Sequence, residues 1–175
     1  MMKKILTMVV MLVTAFSISA QDMLEAMLKD ADKTTNIRNS PGGSVAMKLY
    51  SGNDDSMKAY VFMLTSPQNG WWKIVNLWNA VDDEEETVLQ GSDTGEYWIH
   101  YSVLGVDTRN YGGQELYLRE GPDEDANIVF TFTQELTLMP LDVKDDWVKV
   151  KVRGFDIVGW IELEWLCSNP LTNCC

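Results

Sequence analysis

The sequence predicts an all-β protein with two tandem small β-barrels after a short N-terminal helical segment. Two observations predict this class. Beyond residue 33 the helical pattern disappears, and short runs rich in Val, Ile, Tyr and Trp alternate with Gly, Pro, Asn and Asp. The second observation is a set of motifs that occurs twice in the same order. Many short, closely spaced strands favour small barrels or sandwiches.

The candidate secondary structure begins with the helical segment. Asp22 followed by Glu25 is typical of a helix start and predicts about two turns up to Lys29. The strands that we predict after it cover residues 35–38, 44–50, 60–65, 71–78, 97–104, 116–119, 128–132, 136–141, 147–152 and 157–162.

The internal repeat has three landmarks. Each copy has an aliphatic residue before Arg with a Pro three residues further on, then a Trp-φ-Lys-φ segment (φ is apolar), then a Trp-Ile pair. The residues are Ile37-Arg38, Pro41, Trp71, Lys73 and Trp98-Ile99 in the first copy, and Leu118-Arg119, Pro122, Trp147, Lys149 and Trp160-Ile161 in the second. The first copy is longer because it carries an acidic insertion at residues 80–86, which a surface loop absorbs at small entropic cost.

These landmarks resemble the bacterial SH3-like family, whose modules begin with Asn-φ-Arg-x-x-Pro, carry Trp-φ-Lys-φ and finish with Gly-Trp-φ. Asn36-Ile37-Arg38 fits the first element, and Gly159-Trp160-Ile161 fits the last. The first copy departs from the family in having Glu96-Tyr97 before its closing Trp. The resemblance implies two modules, a first with the acidic insertion (34–106) and a second (115–166). The residues outside them are expected to be a signal peptide (1–20), a lead-in segment (21–33), a linker (107–114) and a cysteine-containing tail (167–175).

The first 20 residues predict export. Lys3 and Lys4 precede a mostly apolar run, and Ser17-Ile18-Ser19-Ala20 supplies the small residues of a cleavage site. A retained anchor helix is the alternative, but the run is short for a membrane span. We therefore expect a periplasmic or extracellular protein with no membrane insertion after cleavage.

The charge of the mature chain excludes several partners. Removing Lys3 and Lys4 leaves 12 of the 14 basic residues against 26 acidic ones, a net charge of −14. Such a surface repels phosphate backbones, so we expect no nucleic acid partner. The charge serves either solubility or the docking of a cationic exported partner.

The three cysteines, Cys167, Cys174 and Cys175, lie together near the end of the sequence. In an oxidising compartment, Cys167 is expected to form a disulfide with Cys174 or Cys175, and the sequence does not choose between them. A metal site is the alternative, but no second Cys pair or nearby His supports it.

The sequence offers few groups for catalysis. His100 is the single histidine, and neither a nucleophile elbow nor a phosphate-binding loop occurs. Asp93-Thr94-Gly95 follows a polar stretch rather than an apolar strand, and the acidic runs at 82–86 and 123–125 lack calcium-loop spacing. We therefore predict no enzyme, no cofactor and no metal site.

The predicted function is binding or scaffolding. Strand alternation directs Trp72, Ile74, Val148 and Val150 inward and leaves Trp71 and Trp147 on the other face. The candidate ligand-binding residues are Trp71, Trp78, Tyr117 and Trp147, and the expected partner is a cell-wall peptide or glycan or an exported protein. The alternative is that Trp71 and Trp147 pack under their own loops or between the modules.

Overall fold

The computed structural model describes residues 22–50, 59–81, 84–90 and 96–168. The described residues form fourteen strands and two single 3₁₀ turns, the latter at Tyr101–Val103 and Leu163–Trp165. The strands are β1 (Met23–Leu28), β2 (Thr34–Arg38), β3 (Val45–Tyr50), β4 (Ala59–Gln68), β5 (Trp71–Val81), β6 (Glu84–Leu89), β7 (Trp98–His100), β8 (Leu104–Thr108), β9 (Leu116–Arg119), β10 (Ile128–Phe132), β11 (Thr137–Lys144), β12 (Trp147–Val152), β13 (Val158–Glu162) and β14 (Leu166–Cys167).

The strands pair into one open antiparallel sheet whose order is internally symmetric. The order is β10-β9-β13-β12-β11-β8-β1-β4-β5-β7-β2-β3, with β14 paired to β8 and β6 paired to β5. Read from either edge toward the centre, the first half (β3-β2-β7-β5-β4-β1) and the second half (β10-β9-β13-β12-β11-β8) follow the same pattern. The prediction of an all-β chain is confirmed.

The two halves join through β8. Its residues Leu104 and Gly105 pair with β1, while Val106 and Asp107 pair with β11. Asp107 and Thr108 also pair with β14. Because β8 pairs with a strand of each half, the described strands form one continuous sheet. The structure does not show the two separate barrels that the sequence predicts. The residues predicted to begin a linker at 107 are part of this strand.

The lead-in segment forms β1, not the predicted helix. Leu24 and Ala26 are buried, whereas Met23 is 54% exposed and Glu25 points to solvent. Strand pairing with β4 runs from Met23 opposite Thr65 to Met27 opposite Val61. This tertiary pairing outweighs the local helical preference, because it satisfies the backbone groups of a segment that lies between two other strands.

The landmarks of the repeat have matching surroundings in the two halves. Arg38 lies opposite Trp98, and Arg119 lies opposite Trp160. Each Arg also donates a hydrogen bond from Nη1 to a backbone carbonyl oxygen of the loop that follows it, Gly43 at 2.6 Å and Ala126 at 2.9 Å. Arg38 and Arg119 therefore make the same strand pairing and the same kind of loop hydrogen bond in the two halves.

One apolar core extends through both halves. Its most deeply buried side chains come from the inward faces of the strands, where period-two alternation places every second residue. They include Ile37, Phe62, Trp72 and Ile99 from the first half, and Leu118, Leu138, Val148 and Ile161 from the second. In the part of the chain that the structure describes, no helix has the length and apolar character needed to cross a membrane.

Several predictions concern residues outside the described ranges. They are the signal peptide at 1–20, the partner cysteines Cys174 and Cys175, Asp93-Thr94-Gly95, and residues 82–83 of the acidic insertion.

Candidate ligand-binding site

Trp147 is placed by the turn that connects β11 to β12. Asp145 adopts a left-handed conformation there, with φ of 52°, which an Asp tolerates better than most residues. Val148 and Val150 then enter the core, so Trp147 lies on the outer face, where it is partly exposed. On β13 its neighbour is Glu162. Alternation along β12 therefore directs the indole outward, and the pairing with β13 places the Glu162 carboxylate beside it.

An open cleft surrounds this indole. It has a volume of about 550 Å³. Its lining comes from the loop between β9 and β10, the β11–β12 turn, the end of β13 and the second 3₁₀ turn. The lining residues are Glu124, Asp146, Trp147, Glu162, Leu163 and Glu164. Four of these six side chains carry a carboxyl group, and the other two are apolar.

Backbone and side-chain contacts hold the cleft in shape. The amide N–H of Leu163 donates to the carbonyl oxygen of Asp146 at 2.7 Å and ties the 3₁₀ turn to the hairpin turn. The indole N–H of Trp165 donates to Oε2 of Glu162 at 2.9 Å and orients that carboxylate. The ion pairs among the described residues are Lys29–Asp107, Lys73–Glu96 and Lys151–Asp156, and none of them includes a cleft carboxylate.

The geometry suits a positively charged group. An indole face attracts a cation through its negative quadrupole, and a cation over Trp contributes about 0.5–1 kcal/mol at an exposed site. The nearby carboxylates add attraction that salt screens. The guanidinium carbons of Arg38 and Arg119 lie 5.8 Å from the rings of Trp71 and Tyr117, and the Lys149 ammonium lies 5.9 Å from Trp160. Among the described residues no such contact occupies Trp147.

The first half presents Trp71 at the equivalent position. Trp71 begins β5 and pairs with His100 on β7, as Trp147 pairs with Glu162. Like Trp147, it is partly exposed, while Trp72 and Ile74 are buried. Both indoles thus occupy the outer face that strand alternation predicts, and neither is fully buried between the halves.

The other two candidate residues lie apart from the cleft. Trp78 is in the middle of β5, between Val61 of β4 and Thr87 of β6. Seven residues of extended chain separate it from Trp71, about 23 Å. Tyr117 on β9 donates its hydroxyl hydrogen to Oε1 of Glu115 at 2.6 Å, and this hydrogen bond raises the pKa of the phenol. The structure therefore gathers only Trp147, of the four predicted residues, into the acidic cleft.

His100 lies on the outer face of the first half. Its Nδ1 is 2.8 Å from Oγ of Ser102, and its ring packs against Trp71 and Tyr101. Partial burial lowers the pKa of the imidazole. No group of three or more His, Cys, Asp and Glu side chains within the described ranges is arranged to hold a metal ion.

Cys167 lies in β14 and is buried, at 4% exposure. Sequence reasoning did not identify the acidic lining of the cleft. Glu124, Asp146 and the Glu162–Glu164 pair come from three separate parts of the chain, and the run at 123–125 was considered only as a calcium loop and rejected. No sequence signal joined these residues, because Glu162 reaches Trp147 only through the pairing of β12 with β13.

No protein-family model matches the chain, and no curated protein matches its sequence. Solved structures that are similar include two NlpC proteins. NlpC1 from Trichomonas vaginalis has 17% identity and a TM-score of 0.31, covering 85% of this chain and 46% of that protein. NlpC2 from the same organism has 16% identity and a TM-score of 0.32, covering 86% and 50%. The chain thus spans about half the length of these neighbours.

This finding corrects the prediction that the chain is not an enzyme. Both neighbours are NlpC proteins, and the exclusion of an enzyme was therefore wrong. A TM-score near 0.3 transfers no activity to this chain. The SH3-like assignment also receives no match from a family model.

Proposed function

We propose that this chain is an exported binding protein, built from two tandem SH3-like modules, whose Trp147 cleft captures a cationic segment of a cell-wall peptide or an exported protein. The observation that carries the proposal is the cleft itself, in which one partly exposed indole stands among four carboxyl groups, with no cation of the described part of the chain over its ring. The net charge of −14 for the mature chain supports the same ligand class, because it draws cations toward the whole surface.

The SH3-like assignment is supported by the repeated strand order and by the equivalent positions of the Arg, Trp-φ-Lys-φ and Trp-Ile landmarks. In both halves the first Trp of the second landmark lies on the outer face, where a ligand can reach it. We infer that this shared surface is the binding face of each module.

The expected affinity is modest. The indole contributes about 0.5–1 kcal/mol to each cation above it, and each exposed ion pair adds about 0.2–1 kcal/mol. A ligand with several positive charges spread along the cleft therefore binds much better than a single amine. Because the carboxylates are exposed, the affinity falls as salt concentration rises.

Calorimetric titration of the mature chain with tetralysine tests this proposal. Trp147→Ala should weaken binding by about three- to tenfold, from the lost cation–π and apolar contacts. A double variant, Glu124→Gln with Asp146→Asn, should weaken binding and flatten its salt dependence. Trp78→Ala is the matched control, since it removes an equally large, partly exposed indole outside the cleft and should bind tetralysine normally.

The outcomes separate the cleft from the general acidic surface. If Trp147→Ala and the double variant bind tetralysine as well as the wild type, the cleft is not the site. If deletion of residues 81–87 weakens binding instead, the acidic insertion docks the cationic partner, which is the alternative that the overall charge favours.

Export also bears on the cysteines. In an oxidising compartment we infer that Cys167, buried in β14, forms a disulfide with Cys174 or Cys175. Such a bond would fasten the strand that pairs with β8 to the segment after it.

A further inference from the structure

The same outer-face position has different chemistry in the two halves. Because Trp71 pairs with His100 as Trp147 pairs with Glu162, the residues around the two indoles can be matched one by one. Where the second half has Asp146, Glu162, Leu163 and Glu164, the first half has Gly70, His100, Tyr101 and Ser102. The three acidic residues of this group have no acidic counterpart in the first half.

Three aromatic rings form a continuous surface there. The centroids of Trp71 and His100 are 5.1 Å apart in an edge-on arrangement, and those of His100 and Tyr101 are 4.5 Å apart. All three side chains are partly exposed. Such offset and edge-on contacts are favourable and hold the rings in place. We call Trp71, His100 and Tyr101 the aromatic surface.

Gly70 allows this surface to close against the hairpin turn. Its φ of 83° suits glycine, and the N–H of Tyr101 donates to its carbonyl oxygen at 2.9 Å. A Cβ atom at this position would lie only 3.1 Å from Nε2 of His100 and from Cδ1 of Tyr101. A side chain at residue 70 would therefore have to displace the rings of His100 and Tyr101.

The aromatic surface is poorly suited to a cation. The Arg38 guanidinium already lies 5.8 Å from the centroid of Trp71, held by its hydrogen bond to Gly43. The carboxylate of Glu96, just before β7, is already paired with Lys73 of β5 at 2.7 Å. Burial also lowers the pKa of His100, so the imidazole is neutral at neutral pH. A second positive charge would meet repulsion rather than attraction here.

We propose that the aromatic surface is a second ligand site, which takes an uncharged sugar ring. A pyranose presents C–H groups on one face, which bury apolar area against aromatic rings, and hydroxyl groups at its edge. The hydrogen-bonded pair of His100 Nδ1 and Ser102 Oγ is part of this face, and Tyr101 carries a hydroxyl, so the residues here supply polar partners as well as rings. Ligand sites commonly combine aromatic walls with a few such polar groups. This assignment rests on the proposed binding function of the outer face, and it does not require the cation cleft of the second half.

Titration of the mature chain with chitotriose, a neutral trimer, tests the assignment, with tetralysine as the parallel probe. Trp71→Ala should weaken chitotriose binding about tenfold, the size expected for losing one aromatic contact, and leave tetralysine binding unchanged. Trp147→Ala is the matched control and should do the reverse. Tyr101→Leu introduces the residue that the second half has at this position, Leu163, and should also weaken chitotriose binding. This second variant tests the proposal if Trp71→Ala does not fold.

Three results would overturn the proposal. The first is no chitotriose binding at millimolar concentration. The second is chitotriose binding that Trp71→Ala and Tyr101→Leu leave intact. The third is binding of N-acetyltryptophanamide, but not chitotriose, at these residues, since that would assign the surface to an aromatic side chain. A failure of tetralysine to bind would contradict only the proposed cation cleft.

Discussion

The indole N–H of Trp72 donates a hydrogen bond of 2.9 Å to the carbonyl oxygen of Pro140, across the junction between the two halves. Both residues are buried, and Trp72 is fully enclosed at 0% exposure. Its counterpart in the second half is Val148, which has no N–H to donate from its side chain. The contact thus makes the core of the first half depend on the backbone of the second.

Replacing Trp72 with Phe should lower the free energy of unfolding by about 2–4 kcal/mol. Roughly 1 kcal/mol comes from the lost hydrogen bond and the rest from the unfilled volume. Urea unfolding followed by circular dichroism measures the change. Trp71→Phe is the control, since that indole is partly exposed, and an equal loss in both variants would contradict the role assigned to Trp72.

Gly159 should not tolerate a side chain. A Cβ atom there would lie 2.7 Å from Cβ of Leu118, 2.9 Å from Cγ2 of Val129 and 3.0 Å from the carbonyl oxygen of Arg119. Overpacking of this kind costs about 1–3 kcal/mol, which thermal and urea unfolding of Gly159→Ala will measure. In Gly121→Ala the nearest atom is an ordinary contact at 3.7 Å, so that control should stay near wild-type stability. Equal stability of the two variants would argue against the close β9–β13 contact.

The stability of the chain should depend on the protonation of His100. Burial lowers the folded-state pKa of this imidazole, so the unfolded chain takes up the proton first as the pH falls. The contribution is therefore fully present above about pH 6.5 and is lost progressively between that value and the lower folded pKa. The free energy of unfolding of wild type minus that of His100→Gln should decrease from pH 7.5 to pH 5. If the difference in unfolding free energy between wild type and His100→Gln stays constant with pH, the pKa of the imidazole is not lowered by folding.

A disulfide of Cys167 should be detectable by mass spectrometry of the unreduced, exported chain. Peptide mapping of Cys174→Ser and Cys175→Ser variants will identify the partner, since only one of them should abolish the cross-link. Closing a loop of about eight residues stabilises a chain by roughly 2–3 kcal/mol in the chain-entropy model, so Cys167→Ser should unfold at lower urea. A fully reduced wild-type chain would contradict this prediction.

Much of the fold could be inferred from the sequence because its signals are local. Turn residues separated the strands, and the Arg and Lys of the first two landmarks lie opposite the Trp of the third, Trp98 in the first half and Trp160 in the second. The error at β1 has a physical cause. Met23, Leu24, Ala26 and Met27 fit a helix as well as a strand, and only pairing with β4, about forty residues further on, decides between them.

The candidate site was less predictable. Outer-face Trp residues follow from alternation along a strand, so Trp71 and Trp147 could be named in advance. The groups that distinguish the two surfaces could not, because Glu162 and His100 reach the indoles through the pairing of β12 with β13 and of β5 with β7. The residues that neighbour an indole on the next strand cannot be predicted until the register of the two strands is known.

The position of β8 has a consequence for how this chain can be divided. Since β1 and β11 both hydrogen-bond to that strand, a cut anywhere between the copies leaves one fragment lacking its neighbour and exposing an unpaired edge. Proteolysis or gene truncation near residue 108 should therefore yield aggregation-prone pieces rather than two autonomous proteins. Each copy therefore needs the other to complete its sheet.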